Sequence, residues 1–422
     1  MEEEYYKDAF GKIEVAKDET GKEYKVFIPN PLPPKIDFDE ELVLILSKAE
    51  EKLGKLSGVG LSLPSPNLLI IPYLRKEAIM STRIEGTRIS LQEVLLSETK
   101  EGEEKTPDAK EVINYINTVN YALKHVEDNQ IDLTLIKKMH KILMGGVRGD
   151  EKSPGKFRDV QNWIGSEFSN VSDAIFVPPN PKAVPKLMDD LIDYLNTEHN
   201  IPVLVRCALM HYQFETIHPF CDGNGRIGRS LISVYLCKKK KIIKPLLYIS
   251  EFFEKYRLNY NELLLKTGQT GKFEEWIKFF LKAIEVQSED ALLRAHKLLL
   301  LRESYRKQIQ NETQTSEILN IIDYLFSNPF VTVAKAGKVS AVTYPTAKRY
   351  IDKLIKYGIL KETKHGIFLI GFILLALILR PTLFFSKSPL SYFISLLLFH
   401  RSHGPHKFFL SAGVLFPLIF HI

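Results

Sequence analysis

The densest group of residues able to do chemistry lies between positions 218 and 229, where the sequence reads HPFCDGNGRIGR. His218 is the side chain here whose proton affinity suits a general base near neutral pH. Asp222 offers carboxylate oxygens of the kind that bind Mg²⁺ while the ion keeps most of its waters. A glycine-rich turn alone is a weak signal, but a histidine, an acid, a GNG triplet and two arginines in one segment are hard to explain by packing. The segment therefore predicts a phosphate-binding catalytic site.

The backbone of this segment lies between two helical patterns, at residues 202–217 and 230–243. Three glycines stand at the start of the second helix: Gly223, Gly225 and Gly228. A helix start offers unpaired N–H groups and the positive end of the helix dipole, and both suit a phosphate. Glycine lets the backbone approach an anion closely and tolerates a positive φ. The turn therefore predicts a cradle for phosphate groups.

Two arginines, Arg226 and Arg229, follow in the first turn of that helix. Because they are three residues apart, they lie on one face of the helix. A guanidinium group can bind several phosphate oxygens with its fork of N–H donors. The spacing therefore predicts that both arginines hold the phosphates of a bound nucleotide.

This segment matches the signature HxFx[DE]GNGRxxR of the Fic family at every defined position. Further stretches resemble the part of the family that leads into a β-hairpin flap, at residues 155–158, 161–165, 176–181 and 185–188. The chain resembles, over roughly residues 30–362, the long Fic proteins that have an N-terminal helical region and a C-terminal winged helix. The resemblance implies a mainly α fold, with a helical core, a β-hairpin flap and a winged-helix domain.

The resemblance also implies an activity, protein adenylylation, in which AMP passes from ATP to a Ser, Thr or Tyr hydroxyl of a target protein and diphosphate leaves. His218 would deprotonate the hydroxyl, and Asp222 would hold Mg²⁺ against the phosphates. The residues expected at the ATP phosphates are Gly223, Asn224, Gly225, Arg226, Ile227, Gly228 and Arg229. An adenine-binding role for Tyr260 and Asn261 is predicted by their position in the chain alone.

A second motif lies far upstream, where Ser81, Glu85 and Gly86 match the inhibitory pattern [ST]xxxE[GN] of the family. An ion pair between Glu85 and Arg229 would prevent the arginine from holding the γ-phosphate. The alternative is an ordinary solvent-exposed helical glutamate followed by a C-cap glycine. In the context of the Fic signature, we favour inhibition.

Two other functions stay open. A de-AMPylase would use the same site, with Glu85 orienting a water. A DNA-binding regulator would use the nucleotide site only to sense ATP, and would bind DNA through a basic winged-helix face formed by Lys348, Arg349, Lys353 and Lys356. That face also suits protein docking. The expected partners are a target protein, the chain itself in self-modification, and, as open alternatives, DNA, a second copy of the chain and a membrane.

The pattern along the chain predicts four parts. Residues 1–106 form an extended arm, to about residue 40, and a helical region with the inhibitory motif, and residues 107–312 form the catalytic core. Residues 313–365 form the winged-helix domain. Residues 366–422 form an apolar C-terminal extension.

The net charge of +6 belongs almost entirely to residues 363–422, which include that extension. Residues 363–422 contain five Lys or Arg and no Asp or Glu, so residues 1–362 have 52 basic and 51 acidic side chains. The extension has apolar runs at 367–379, 389–399 and 408–420, each shorter than the roughly 20 residues that a spanning helix needs. Membrane association and a stretch produced by read-through or an altered reading frame remain two open interpretations.

Composition excludes several classes of protein. With 45% hydrophobic and 11% aromatic residues, the chain is neither disordered nor collagen-like. It has three cysteines without CxxC spacing, which indicates a reducing compartment and argues against a cysteine zinc site. Its acidic start has no apolar segment typical of a signal peptide. We therefore expect a cytoplasmic protein.

Overall fold

A computed structural model describes residues 6–17, 21–62, 67–99, 104–165, 171, 173–310, 316–363 and 367–370. The chain divides into two compact units, residues 1–296 and 297–422. The first unit contains both the predicted N-terminal region and most of the predicted catalytic core. The finer division predicted at residues 106 and 312 stays a prediction.

The first unit is mainly helical, as the sequence predicts. It begins with the strands β1 (Gly11–Lys17) and β2 (Glu23–Pro29). Eleven helices follow in the described residues: α1 (Glu40–Ser62), α2 (Asn67–Ile84), α3 (Leu91–Thr99), α4 (Pro107–Asp128), α5 (Leu133–Met144), α6 (Val184–Asn196), α7 (Val203–Ile217), α8 (Asn224–Lys238), α9 (Ser250–Lys255), α10 (Arg257–Thr270) and α11 (Glu274–Gln310). The last of these continues into the second unit.

Helices α7 and α8 lie at the centre of this unit, and nearly all their residues are buried. A helix that is buried on every side needs other helices around it. Helix α8 packs against α7, α4, α5 and α2. The loop between α7 and α8 is therefore held in a helical frame that includes the predicted inhibitory helix α2.

Local capping sets where several of these helices begin. The side chain of Thr106 accepts a hydrogen bond from the N–H of Ala109, with Pro107 at the first helical position of α4. Asp132 caps α5 in the same way, accepting from the N–H of Leu135 at 2.6 Å. Such caps satisfy backbone donors that have no partner inside the helix.

The N-terminal segment differs from the extended arm that the sequence predicts. Strands β1 and β2 form an antiparallel hairpin, with Gly11 opposite Pro29 and Lys17 opposite Glu23. The N–H of Phe27 donates to the carbonyl of Val177 at 3.0 Å. The hairpin thus gains its stabilisation from a distant segment, which the local pattern of residues 1–40 does not indicate.

The segment between α5 and α6 forms the predicted flap. Ile164 and Phe176 exchange two backbone hydrogen bonds, of 2.8 and 3.1 Å, in an antiparallel bridge. The turn between them, at residues 166–170 and 172, lies outside the described residues. Val26 of β2 packs against Ala174 and Val177, so the N-terminal hairpin covers one side of the flap.

The second unit contains three further helices and a small sheet. Its elements are α12 (Glu317–Ser327), β3 (Phe330–Thr332), α13 (Val333–Ser340), α14 (Tyr344–Lys356), β4 (Leu360–Glu362) and β5 (Ile367–Ile370). The sheet is antiparallel in the order β3-β5-β4. This order and the pair α13–α14 are those expected of a winged helix, although that assignment stays a prediction.

Strand β5 extends the second unit beyond residue 365, where the sequence predicts that the winged-helix domain ends. Residues 367–370 were expected to begin the apolar extension, but they form the central strand of the sheet, with Phe368 and Ile370 buried. Their apolar character is therefore explained by burial in the second unit. The remainder of the predicted extension, residues 371–422, lies outside the described residues. Where the structure describes the chain, none of its helices has the length and apolar character needed to cross a bilayer.

Candidate active site

The loop between α7 and α8 is shaped by two residues with left-handed backbone. His218 ends α7 with φ 51°, and its N–H donates to the carbonyl of Phe214 at 3.0 Å. Gly223 precedes α8 with φ 76°. A Cβ on Gly223 would lie 2.9 Å from the sulfur of Met144, so both the conformation and the space require glycine.

Two side chains inside the loop hold its backbone rather than face a ligand. The Asn224 amide donates to the carbonyl of Phe220 and accepts from its N–H, both at 2.8 Å. The ring of Phe220 is buried and stacks on His140 with the centroids 3.8 Å apart. Asn224, predicted in the phosphate cradle, can therefore offer its backbone N–H to a phosphate, whereas its side chain braces the loop.

His140 supports the same loop, although its sequence context gave no indication of this. The N–H of Gly155 donates to its Nδ1 at 2.8 Å, so Nδ1 is an acceptor. The opposite nitrogen, Nε2, therefore carries the proton and donates to the carbonyl of Asp222 at 3.0 Å. Burial lowers the pKa of His140 to about 4, which keeps this tautomer neutral at physiological pH.

His218 is held so that one ring nitrogen stays available. Its Nδ1 donates to the carbonyl of Glu215 at 3.2 Å, which leaves Nε2 as a proton acceptor. Burial lowers the pKa of His218 to about 4, and the positive charge of Arg158 acts in the same direction. The imidazole is therefore neutral at pH 7, as a base must be, but it is less basic than its residue type predicts.

Asp222 is half-exposed at the mouth of the site. One oxygen, Oδ1, accepts from the N–H of Gly223 at 2.6 Å and lies 3.3 Å from Arg226, and Oδ2 lies 3.4 Å from Lys152. Burial raises the pKa of Asp222, but Arg226, the Gly223 amide and Lys152 together outweigh it and lower the pKa. Asp222 is therefore an ionised oxygen donor.

A magnesium ion fits this donor set. The described residues contain no group of three or more His, Cys, Asp or Glu arranged to hold a metal. Mg²⁺ commonly binds through one or two carboxylates, substrate phosphates and water. The weakly engaged Oδ2 of Asp222, 30% exposed as a side chain, is suited to that arrangement.

The two arginines of the motif are buried and bind different partners. Arg226 lies 3.3 Å from a carboxylate oxygen of Glu111 and 3.3 Å from Asp222. Arg229 donates from Nε to the hydroxyl of Ser81 at 2.9 Å and from Nη2 to the Ser81 carbonyl at 3.0 Å. It also donates to Oε1 of Glu85 at 2.7 Å. The predicted contact between Glu85 and Arg229 is therefore present in the structure.

The end of helix α2 explains the spacing of the upstream motif. The N–H of Thr87 donates to the carbonyl of Thr82, and the N–H of Gly86 donates to that of Arg83. This pair of bonds is a Schellman motif, with Glu85 at the C-cap and Gly86, at φ 100°, in the position that favours glycine. The cap fixes Glu85 one turn beyond Ser81, so both reach the same guanidinium group.

Glu85 and Arg229 each shift the pKa of the other. Burial raises the pKa of Glu85, but the charge and hydrogen bond of Arg229 outweigh it and lower the pKa. Burial acts to lower the pKa of Arg229, and Glu85 instead raises it well above its usual range. Both groups are therefore charged in this conformation. A Cβ on Gly225 would lie 2.5 Å from Oε1 of Glu85, so this glycine leaves room for the pair.

Of four other predicted site residues, Tyr260 lies close to Arg229, whereas Ile227, Gly228 and Asn261 do not face the loop surface. The side chain of Ile227 is fully buried, and a Cβ on Gly228 would lie 2.2 Å from Oε1 of Glu215. Gly228 thus allows α8 to approach α7. The hydroxyl of Tyr260 lies 2.8 Å from Nε2 of His211 inside a buried aromatic cluster, whereas Asn261 is exposed.

Glu215 is a buried carboxyl group that sequence reasoning missed. Its Oε1 has no hydrogen-bond partner in the described part of the chain and lies 4.0 Å from Nε2 of His211. Burial raises the pKa of Glu215 to about 7, and the negative charge of Glu85 raises it further against the opposing effect of Arg229. Its position seven residues before Asp222 gives no local signal of this environment.

Family comparisons agree with this arrangement. A profile described as Fic/DOC family N-terminal matches residues 43–124, and a profile described as Fic/DOC family matches residues 130–236. The first stretch contains Ser81 and Glu85, and the second contains His218, Asp222 and Arg229.

Individual relatives match parts of the chain. A probable protein adenylyltransferase from Aquifex aeolicus is 32% identical over 174 residues, which are 39% of this chain and 49% of that protein. A protein adenylyltransferase from Caenorhabditis elegans is 26% identical over 180 residues, 41% of this chain and 33% of that protein. The chain thus spans half or less of the length of these relatives.

The fold has a counterpart among solved structures. The structure of a Fic family protein from Desulfovibrio desulfuricans G20 matches 81% of this chain and 99% of its own, with a TM-score of 0.53 and 20% sequence identity. At that identity the match shows a shared fold.

The buried Glu215 predicts a specific dependence of stability on pH. Because its pKa rises on folding from 4.5 to about 7, the folded state binds more protons than the unfolded state between these values. The free energy of unfolding should therefore fall as pH rises from 4.5 to about 7. The variant Glu215→Gln cannot ionise and should lose this fall, which we expect to be about 3 kcal/mol.

Urea unfolding at a series of pH values measures the effect in both proteins. The difference between variant and parent should increase through this window and level off above it. Two parallel stability curves would contradict the assigned environment of Glu215.

Proposed function

Because this chain belongs to the Fic/DOC family, we propose that it is a protein adenylyltransferase, which transfers AMP from ATP to a Ser, Thr or Tyr hydroxyl of a protein. The observation that carries the proposal is the loop between α7 and α8. It places a neutral imidazole, an ionised carboxylate and the N-terminus of a buried helix within a few residues of one another. The Fic/DOC family profile covers this loop, and two proteins named as adenylyltransferases are similar to about two fifths of the chain.

In the proposed reaction, Nε2 of His218 takes the proton of the acceptor hydroxyl as its oxygen attacks the α-phosphorus of ATP. The P–O bond to the leaving diphosphate breaks, and AMP is left on the hydroxyl oxygen. The hydrogen bond from Nδ1 to the carbonyl of Glu215 stabilises the imidazolium that forms. The lowered pKa of His218 means that this group gives up its proton readily afterwards.

The phosphates are proposed to bind at the N-terminus of α8. The backbone N–H groups of Asn224 and Gly225 would face the developing charge together with the helix dipole, whereas the N–H of Gly223 already donates to Asp222. Asp222 would hold Mg²⁺, which neutralises charge on the α- and β-phosphates when it is bound. Arg229, once free of its present partners, would hold the γ-phosphate, and Arg226 is already ordered by Glu111.

The contact between α2 and Arg229 is proposed to inhibit the enzyme. Glu85 and Ser81 together occupy three hydrogen bonds of this guanidinium. A triphosphate that approaches in the productive pose must displace Glu85 or lose its arginine. ATP would then bind with its α-phosphate wrongly placed for attack.

The acceptor hydroxyl is proposed to come from a target protein held along the flap, or from the chain itself. A flap that pairs through its main chain sets the register of an extended segment while demanding little of its sequence. The adenine-binding role of Tyr260 and Asn261, the homodimer and the membrane contact remain predictions.

The inhibitory contact predicts the behaviour of two variants with labelled ATP. Glu85→Gly should raise self-adenylylation roughly 10- to 100-fold, because one charge-assisted hydrogen bond of about 1.5–3 kcal/mol is freed for the phosphate. His218→Ala in the same background should lower the rate by about 10²–10⁴-fold through loss of the base. The measurement is incorporation of label from α-labelled ATP into protein.

A matched control is Glu104→Gly, which removes an exposed carboxylate that pairs with Lys110 instead of Arg229. This variant should behave like the parent. Equal labelling in the Glu85 variant and the parent would exclude inhibition. Loss of label from a premodified target, in place of incorporation, would support the de-AMPylase. If the protein bound ATP and showed neither reaction, the regulator that only senses ATP would be favoured.

We also propose that the second unit is a winged helix whose α14 contacts DNA. Its four basic residues, Lys348, Arg349, Lys353 and Lys356, are exposed. Helix α14 follows α13 through a tight turn at Ala341, with φ 53°. The face of α14 opposite its basic residues contains the buried side chains of Tyr350, Ile351 and Leu354. An amphipathic helix of this kind offers its basic side to phosphates.

Replacing Arg349 and Lys353 together with alanine in the full-length protein should weaken binding to duplex DNA of any sequence. The slope of log K against log salt should become less steep by about 2, because two phosphate contacts are lost. Lys307→Ala, an exposed lysine of α11, is the control. Unchanged affinity and slope in the double variant would contradict a DNA-binding role for this face.

A further inference from the structure

Arg158 lies between the flap and the catalytic loop, and its guanidinium group is bound entirely by backbone carbonyls. Its Nε donates to the carbonyl of His218 at 2.9 Å. From the Nη atoms it donates to Ile217 at 3.4 Å, to Val160 at 3.4 Å and to Pro179. Its own N–H donates to the carbonyl of Pro219 at 2.9 Å. One side chain thus connects three separate segments.

The chemistry of this site suits arginine and no other residue. Arg158 is 3% exposed, and none of the ion pairs in the described residues includes it. Burial lowers the pKa of Arg158 to about 10, so it still carries its charge at neutral pH. That charge is balanced by carbonyl dipoles lying in several directions. A lysine ammonium is a point donor on a flexible stem and cannot reach all of them.

The contact to His218 acts on the backbone of the proposed base. A non-glycine residue with left-handed backbone is costly and persists only where its surroundings hold it. The N–H of His218 is held by Phe214 and its ring by Glu215, both on α7. Arg158 holds the remaining polar group, the carbonyl, from the opposite side.

The contacts to Val160 and Pro179 act on the two ends of the flap. Val160 precedes the bridge residue Ile164, and Pro179 follows the bridge residue Phe176. Asn162 adds a second connection, since its amide donates to the carbonyl of Phe220 at 3.0 Å. Both strands of the flap are therefore fixed to the loop that contains the proposed base.

We propose that Arg158 is a positioning residue that fixes the flap to the catalytic loop, so that an acceptor hydroxyl held by the flap arrives at Nε2 of His218. This inference rests on the proposed function and adds to it. The phosphates bind at the N-terminus of α8, which Arg158 does not contact. Arg158 therefore acts on the rate of transfer and leaves affinity for ATP unchanged.

A second buried arginine, Arg206, serves as a control that distinguishes positioning of the flap from a general effect on stability. Arg206 is 1% exposed and likewise donates to backbone carbonyls, those of Tyr194, Leu195 and Thr197 at the end of α6. Arg206→Lys removes a buried guanidinium of the same kind away from the flap. Any effect common to this variant and Arg158→Lys is a general cost of losing such a group.

The first measurement is hydrogen exchange of the full-length protein, which needs no activity. In Arg158→Lys, the amides of Ile164 and Phe176 should exchange roughly tenfold faster than in the parent, because a charge-assisted connection is lost. Arg206→Lys should leave these two amides unchanged. If Arg158→Lys does not fold, Asn162→Ala is measured instead and should show a smaller increase at the same amides.

The second measurement is made in the Glu85→Gly background. Arg158→Lys should lower the rate of label incorporation at saturating ATP by roughly 10- to 100-fold, as expected for a misplaced reactant. The affinity for ATP with Mg²⁺, measured by calorimetry, should stay within about twofold of the value without Arg158→Lys. Misfolding would lower both the rate and the affinity, so a change in the rate alone excludes it. Arg206→Lys should change neither quantity.

Unchanged exchange at Ile164 and Phe176 in a folded Arg158→Lys variant would overturn the proposal. Faster exchange with an unaltered transfer rate would overturn it as well, since the flap would then be free without consequence. A parent that transfers no label would defeat the proposed function. The exchange result would still decide whether Arg158 fixes the flap to the loop.

Discussion

The buried guanidinium of Arg229 is the constraint around which the site is organised. It is 2% exposed and lies in the second turn of the helix whose N-terminus faces the proposed phosphates. A buried charge must be paired, because an unpaired one costs several kcal/mol. In this conformation Ser81 and Glu85 of the α2 end supply the pairing. The contact that we propose to be inhibitory therefore also balances the buried charge of Arg229.

The loop that contains His218 owes its shape to groups outside it as much as to its own glycines. Gly223 gives the backbone the required conformation, but His140 holds the carbonyl of Asp222 and Arg158 holds that of His218. These bonds satisfy polar groups that would otherwise be buried without partners. The imidazole and the helix N-terminus are consequently fixed relative to one another before any ligand binds, which is the preorganisation that electrostatic catalysis needs.

Three carboxyl groups near the two arginines of the motif have different environments. At Glu85 the charge of Arg229 outweighs the effect of burial and lowers the pKa, and at Asp222 the charge of Arg226, the Gly223 amide and Lys152 do the same together. Burial dominates at Glu215 and raises its pKa to about 7. The negative charge of Glu85 contributes to the raised pKa of Glu215, so the charge states of these two carboxyl groups are coupled.

The sequence by itself determined the helical frame and the glycine-containing loop that includes His218 and Asp222. It also determined the upstream motif formed by Ser81, Glu85 and Gly86. These features depend on local rules, namely helical periodicity, positive φ at glycine and capping at a helix end. Only the tertiary structure decided that Arg158 and His140 support the loop and that residues 367–370 form a central strand. It also decided that Oε1 of Glu215 is buried with no hydrogen-bond partner among the described residues. Arg158 meets His218 across a separation of 60 residues, and His140 meets Asp222 across 82. Contacts between such distant residues arise from the packing of whole helices, and no local pattern encodes which side chain will meet which carbonyl.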